Sequence, residues 1–537
     1  MKNAICTATL VACVRILSAQ VLGQEIPDVR PELIRSHMRF LADDLLEGRG
    51  TGTRGFQIAA AYVAAQFDAL GLEPAFGRTF FQPIPLRHAE AVGGASSITL
   101  HRGPQKGQLT YGVDFVTSGD IHRESASVDA PIVFVGDGIS APTLGYDDYA
   151  EVDVRGKIVA IALRRIPILR PAPAAYFGNL DVRIEAAIER GAVGFLMLSP
   201  DDSFPWERNL RLADRGLTSV TGAAGVPQEP SRPLSIAVLR YESTQRLFAM
   251  ASVDLAGLLM KHRDGQMPSM VLPVTASIRI RSRHTVLGST NVGALLRGSD
   301  PRLRNEFVVY TAHLDHVGRG RSVDGDDIYN GAIDNASGVA AMLAMAQAIT
   351  RLGARPRRSI LFLATTGEEV GGLGSKYFAS HPAFPLETIT AVLNVDGPTL
   401  MLFSVKGVEA QGGQNSTLGL AASSAANRLG LTISQSAVPT VSDQGPFVLR
   451  GVPALWALAT PDAAQPGVDG PVLVREWMSR IYHTPKDDLN RALDFGAAVT
   501  MAQFNLLVGL QVAQDEDRPR WNAGDFFGDT FGATRSR

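Results

Sequence analysis

Cysteine is nearly absent: the 537-residue chain has two, Cys6 and Cys13. Both fall in a stretch that reads as a removable leader. The mature chain is then expected to carry no thiol, which excludes disulfides, thiolate metal sites and a cysteine nucleophile. Charge of one sign is lacking too, since Lys+Arg 51 against Asp+Glu 53 leave a net charge of −2. That gives no electrostatic footprint for nucleic acid as a partner. Long apolar runs are also missing: no stretch reads as the ~20 residues a bilayer span needs, so no stable membrane span is expected. What is present is 45% hydrophobic and 19% charged residues, enough for a large buried core. At ~150 residues per domain, the length suggests three or four units.

Residues 1–23 read as an export signal, with Lys2 as the positive start and Ala4 to Val14 as the apolar run. Val21-Leu22-Gly23 and Leu17-Ser18-Ala19 are both acceptable cleavage tripeptides. A secreted or periplasmic location follows as the expectation. Leu10-Val11-Ala12-Cys13 resembles a lipobox, but Cys13 sits early for lipid anchoring.

Three textures follow. Residues 24–117 form the first segment, with helical spacing in Leu33–Leu46 and Phe56–Leu70 around a Gly-rich loop, Gly48–Gly55. No strand precedes that loop and no P-loop Lys-Ser/Thr closes it, so it is not a phosphate cradle. Residues 118–280 turn to short apolar strands split by Pro/Gly-rich loops, with one helix at Arg183–Arg190. They hold no His or carboxylate cluster at ligand spacing. Residues 281–515 alternate strand and helix: strands at Phe307–Thr311, Ser359–Ala364 and Ala391–Val395, helices at Ala336–Thr350, Thr417–Leu429 and Phe495–Ala513. This rhythm predicts an α/β fold built on a mostly parallel open sheet with flanking helices, interrupted by a small β-rich insert. A tail, 516–537, is aromatic enough to pack back on the domain. No internal repeat is present, and oligomeric state has no sequence signal.

Open α/β sheets collect ligands at the carboxyl ends of their strands. The first strand here runs into His313-Leu314-Asp315, the second into Glu368-Glu369 and the third into Asp396. Asp334-Asn335 opens a helix, where a carboxylate is favoured, and His483 lies in a loop before the last helix. Imidazoles and carboxylates without thiolate suit a catalytic, zinc-like site. The set is too large for one ion and fits two, with one carboxylate bridging. The adjacent glutamates can divide the work of ligand and proton shuttle. Asp315 can support the free nitrogen of the His313 imidazole.

Five ordered segments, Thr311–Val317, Asn330–Gly338, Gly367–Ser375, Asn394–Gly397 and Tyr482–Asp487, resemble the motifs of the M28 family of zinc peptidases. The N-terminal LADDLLEGRGTGTRG is similar to the same enzymes. The middle segment, with Tyr146-Asp147-Asp148-Tyr149 and Val154-Arg155-Gly156-Lys157, resembles their inserted protease-associated (PA) domain. The resemblance implies the zinc exopeptidase fold and peptide substrates. It also implies two Zn2+, with manganese or cobalt as alternatives. One zinc would be held by His313, Asp334 and Asp396, the other by Asp334, Glu369 and His483. Asp334 would bridge, Glu368 would be general base and acid, and Asp315 would orient His313. Many members carry His where this chain has Gln444.

His316, three residues after His313, is either a substitute ligand or a loop residue, and it reads as the loop residue since the ligand set is complete without it. Asp324, Asp326 and Asp327 read as a solvated acidic loop, lacking the EF-hand spacing. The expectation is an exported two-zinc aminopeptidase with an insert that shapes or covers the cleft. Alternatives are a glutamate-type carboxypeptidase or dipeptidase, a glutaminyl-cyclase-like enzyme of the same fold and, more remotely, a non-catalytic binding protein.

Overall fold

The computed structural model describes residues 26–532 except 165, 167, 168, 203, 204, 223, 224, 229, 233, 398–400, 462–466 and 468. The expected leader and its two cysteines lie outside the described residues. Two compact units divide the chain: one is formed up to Ile84 and from Ser289 onward, the other by Pro85–Gly288.

The first unit is built on seven strands: β1 (Ser269–Leu296, by its last residues), β2 (Phe307–His313), β3 (Ser359–Thr365), β4 (Ile389–Asn394), β5 (Gly407–Gln411), β6 (Thr432–Ser436) and β7 (Ala454–Ala459). Their order across the sheet is β1-β3-β2-β4-β7-β5-β6. Neighbours run parallel from β3 to β7 and between β5 and β6, and antiparallel at β1–β3 and β7–β5. The expected mostly parallel sheet is therefore present. Every residue of β2, β3 and β4 is buried, as continuous apolar runs such as FVVYTAH and SILFLAT require when both faces of a parallel sheet are covered.

Helices α1 (Pro31–Leu41), α2 (Gly338–Thr350) and α3 (Phe495–Gln514) pack on one another, and α2 and α3 also pack on β2. Pro31 sits at the start of α1, where its missing N–H costs nothing. Asp494 caps α3 by accepting the N–H of Ala497 at 2.9 Å. Two segments do reach the length and apolarity of a membrane span, contrary to the sequence expectation: Ala332–Thr350 and Phe495–Gln514, 94% and 67% buried. Both carry side chains of the main hydrophobic core. The tail packs back as expected: Trp521 donates to the Gly451 carbonyl at 2.9 Å, and Phe527 is buried.

The second unit is wider than the 118–280 expected from composition. Strand Ser97–Arg102 hydrogen-bonds to Gln105–Leu109 on one side and to Thr275–Arg279 on the other. That pairing spans some 180 residues of chain, and a local change of texture cannot register it. Three strands, Ile158–Ala162, Gly194–Leu198 and Ser235–Leu239, pair in parallel. Among the described residues this unit carries five α-helices where one was expected; one of the others, Tyr241–Ala251, is as long as the expected helix, and the rest are shorter.

Candidate metal centre

The carboxyl ends of β2, β3 and β4 deliver His313, Glu368-Glu369 and Asp396. Asp334 comes from the turn Ala332–Ser337, and His483 from the loop before α3. Asp334 lies between the two histidines: its Oδ1 is 3.2 Å from His313 Nε2, and its Oδ2 is 3.0 Å from His483 Nε2. Asp396 Oδ1 is 3.4 Å from His313 Nε2, and Glu369 Oε2 is 3.0 Å from His483 Nε2. Two groups result, His313/Asp334/Asp396 and His316/Asp334/Glu369/His483, each with its donor atoms within 4.8 Å of one another. Tetrahedral zinc with bonds of ~2.0–2.1 Å sets its donors about 3.3 Å apart. The observed separations fit an ion in each group, and Asp334 belongs to both.

The surrounding hydrogen bonds hold these donors in place. His313 Nδ1 meets the main-chain oxygen of Asp315 at 3.1 Å. Asp315 thus touches His313 through its carbonyl, not through its side chain as the sequence suggested. Its carboxylate instead accepts the N–H groups of Glu368 and Glu369 at 3.2 and 3.4 Å, and the Thr51 hydroxyl at 2.9 Å. A spacing of two residues cannot tell a carbonyl from a carboxylate. Asp396 Oδ2 accepts from Ser442 Oγ at 2.7 Å, and Asn394 Nδ2 donates to both Ser442 Oγ and Gln444 Oε1. Gln444, the departure from the family pattern, is fully buried and braces Asn394. Asp487 accepts the N–H groups of Ile333 and Asp334, at 3.0 Å each.

Arg49, from the Gly-rich N-terminal loop, is buried and donates to the carbonyls of Leu41, Leu314, Asn330 and Gly331. Burial lowers its pKa to about 10, against the opposing charges of Asp487, Asp315, Asp334 and Glu369, so it stays cationic at neutral pH. Gly331 has φ 57°, and a Cβ there would meet the His316 ring at 2.4 Å, so glycine is required beside that ring. Arg49, Thr51, Asp487 and Ser442 had no assigned role in the sequence. Asp487 closes one of the five quoted motifs, the one signal that pointed to it.

The adjacent glutamates are pushed in opposite directions. Burial raises the Glu368 carboxyl; the charge of His313 opposes this, while Asp396, Glu369 and Asp443 reinforce it, leaving it well above the usual range. Burial would raise Glu369 too, but His483 and His316 hold it well below. Neighbouring carboxyls driven apart in this way divide into a proton carrier and a permanent anion.

His316, read as a loop residue, is in fact buried in the second group, with Nδ1 at 2.6 Å from Glu369 Oε1. The acidic loop lies outside both groups: Asp324 pairs with Lys486 at 2.8 Å, and Asp327 with Arg319 at 2.8 Å.

Residues 291–508 match peptidase family M28. The chain is 24% identical over 380 residues to carboxypeptidase Q of Xenopus laevis, covering 68% of this chain and 66% of that one. It is 27% identical over 246 residues to a probable leucine aminopeptidase 2 of Aspergillus oryzae, covering 44% and 43%. The chain thus spans about two thirds and less than half of these two relatives. The solved aminopeptidase from Aneurinibacillus sp. strain AM-1 shares the fold, with a TM-score of 0.54 at 19% identity over 91% of this chain and 95% of that one. The matched segment, residues 291–508, holds every donor of both groups, and it is this segment that the chain shares with peptidase family M28.

Proposed function

We propose that the chain is a two-zinc exopeptidase that removes residues from the amino end of peptides. The observation that carries this reading is Asp334, whose two oxygens face two separate donor groups. Zinc bound there would supply Lewis acidity toward the scissile carbonyl and a lowered pKa for the attacking water. His313 and Asp396 in one group, and Glu369 and His483 in the other, would hold that pair, with Asp334 belonging to both groups. Glu368 takes the proton of the attacking water and returns it to the nitrogen of the leaving amine as the C–N bond breaks. Asp315 fixes the main chain of both glutamates, so the shuttle and the ligand keep their separate directions.

The likeness to carboxypeptidase Q favours a second reading, attack at the carboxyl end. Residues 1–23 as an export signal, and residues 118–280 as a PA-type insert, complete the proposal and rest on the sequence motifs. The test is hydrolysis of aminoacyl p-nitroanilides and of N-blocked dipeptides by protein with measured zinc content. Release from the first set alone supports aminopeptidase action; release from the second alone supports the carboxypeptidase reading. Two equivalents of tightly bound zinc with no hydrolysis of either set would sink both.

A further inference from the structure

The two donor groups are unequal. His313, Asp334 and Asp396 offer three side chains, whereas the group around His483 offers four because His316 stands in it. His316 is fully buried, and neither of its ring nitrogens makes a hydrogen bond of acceptable geometry, although Nδ1 is 2.6 Å from Glu369 Oε1. Nδ1 is also 3.7 Å from Asp334 Oδ2, and the His316 and His483 ring centroids are 5.5 Å apart. A buried imidazole left without hydrogen bonds carries a desolvation cost that a native site offsets in some way. Four donor atoms from four buried or half-buried side chains, all within 4.8 Å of one another, are what ligands of a common cation show. The separations of 3.0 and 3.7 Å among His483, Asp334 and His316 bracket the roughly 3.3 Å expected around tetrahedral zinc. The local chain is shaped for this ring: Gly331 leaves room for it, and the His316 N–H is tied to the Arg49 carbonyl at 3.2 Å.

We propose that His316 is a protein ligand of the cation shared by Asp334, Glu369 and His483, so that one ion of the pair is held by four side chains and the other by three. The inference rests on the two-ion reading above. It makes the four-donor ion the tighter one, and mild chelation should strip the ion at His313 first.

The test uses the full chain, stripped of metal and titrated with Zn2+ and with Co2+, comparing wild type with His316→Gln and His316→Ala. The expected result is two ions in the wild type and, in both variants, one ion weakened by at least ~10–100-fold with a changed visible cobalt spectrum. The melting temperature of the metal-free protein should stay the same. Two ions bound by the variants with wild-type affinity and spectrum would overturn the role of His316 and leave the two-ion reading standing. A lowered metal-free melting temperature with unchanged affinities would assign His316 to packing and equally overturn the inference. Wild-type protein that binds fewer than two ions overturns the two-ion reading, and the inference with it.

Discussion

Asp487 grips Asp334 by the backbone: its two carboxylate oxygens accept the N–H groups of Ile333 and Asp334, each at 3.0 Å. The residue that faces both donor groups is therefore positioned by a second carboxylate, which is itself buried. Burial and the Asp334 charge raise Asp487 to about 7, while those two N–H groups and Arg49 pull it down. Asp487→Ala leaves two buried N–H groups without acceptors, at roughly 1–3 kcal/mol each. It also frees the turn that aims Asp334. Zinc affinity should fall by ~10–100-fold, as losses behind a ligand typically do. Competition with a chromophoric chelator measures this; unchanged affinity would show that the turn is held by other bonds.

Glu368→Gln removes the proposed proton carrier and keeps the shape. Because Glu368 lies outside both donor groups, zinc content should remain at the wild-type value. The kcat should drop by ~10²–10⁴, the usual contribution of a positioned acid–base group. Metal analysis and steady-state kinetics on the same preparation check both halves. A kcat within a few-fold of wild type would remove Glu368 from the reaction.

The central sheet was readable because strands buried on both faces are written as continuous apolar runs, and the ends of β2, β3 and β4 pointed directly at His313, Glu368-Glu369 and Asp396. Asp334 and His483 could be added because they sit in short motifs in the right order. The supports were hidden for a physical reason. Arg49 reaches Leu314, 265 residues away, and Asn330 and Gly331, 281 and 282 residues away, and no local pattern records such distances. The ligand set closes without His316, and a complete set does not fix where that ring goes. The extent of the second compact unit is hidden for the same reason as the supports: strand Ser97–Arg102 finds its partner near Thr275–Arg279.

Asp315→Asn separates two ways in which this residue could serve the site. If the carboxylate oriented the His313 ring, the substitution would weaken the ion at His313. The ring instead meets the Asp315 carbonyl, which the substitution keeps, while the carboxylate anchors the main chain of Glu368 and Glu369. The amide retains one acceptor oxygen and turns an N–H2 group toward the other partners. The expected outcome is near-wild-type metal affinity at His313 with kcat reduced at least ~10-fold, from a misdirected Glu368. Selective loss of the His313 ion would contradict the observed hydrogen bonding.

Stability should also depend on pH through a group far from the metal centre in sequence, Asp148 of the second unit. Asp148 is buried; Oδ2 accepts the N–H groups of Asp137 and Ile139 at 3.0 Å each, and Oδ1 accepts from Gln266 at 3.1 Å. Burial raises its pKa from 3.8 to about 7; the hydrogen bonds oppose the rise, and nearby Asp137 adds to it. A carboxyl raised on folding binds more protons in the native than in the unfolded state. Its contribution is fully present below about 4 and is lost as pH rises through about 7, by on the order of a few kcal/mol. In Asp148→Asn the amide oxygen can keep both backbone N–H groups, while the side-chain amide of Gln266 turns over to accept. The variant should fold, and should be the more stable of the two proteins near pH 8. Melting temperatures from pH 5 to 8 in the presence of chelator test this: the wild-type value should fall more steeply with pH than that of the variant, and parallel curves would show that Asp148 is already ionised in the folded chain.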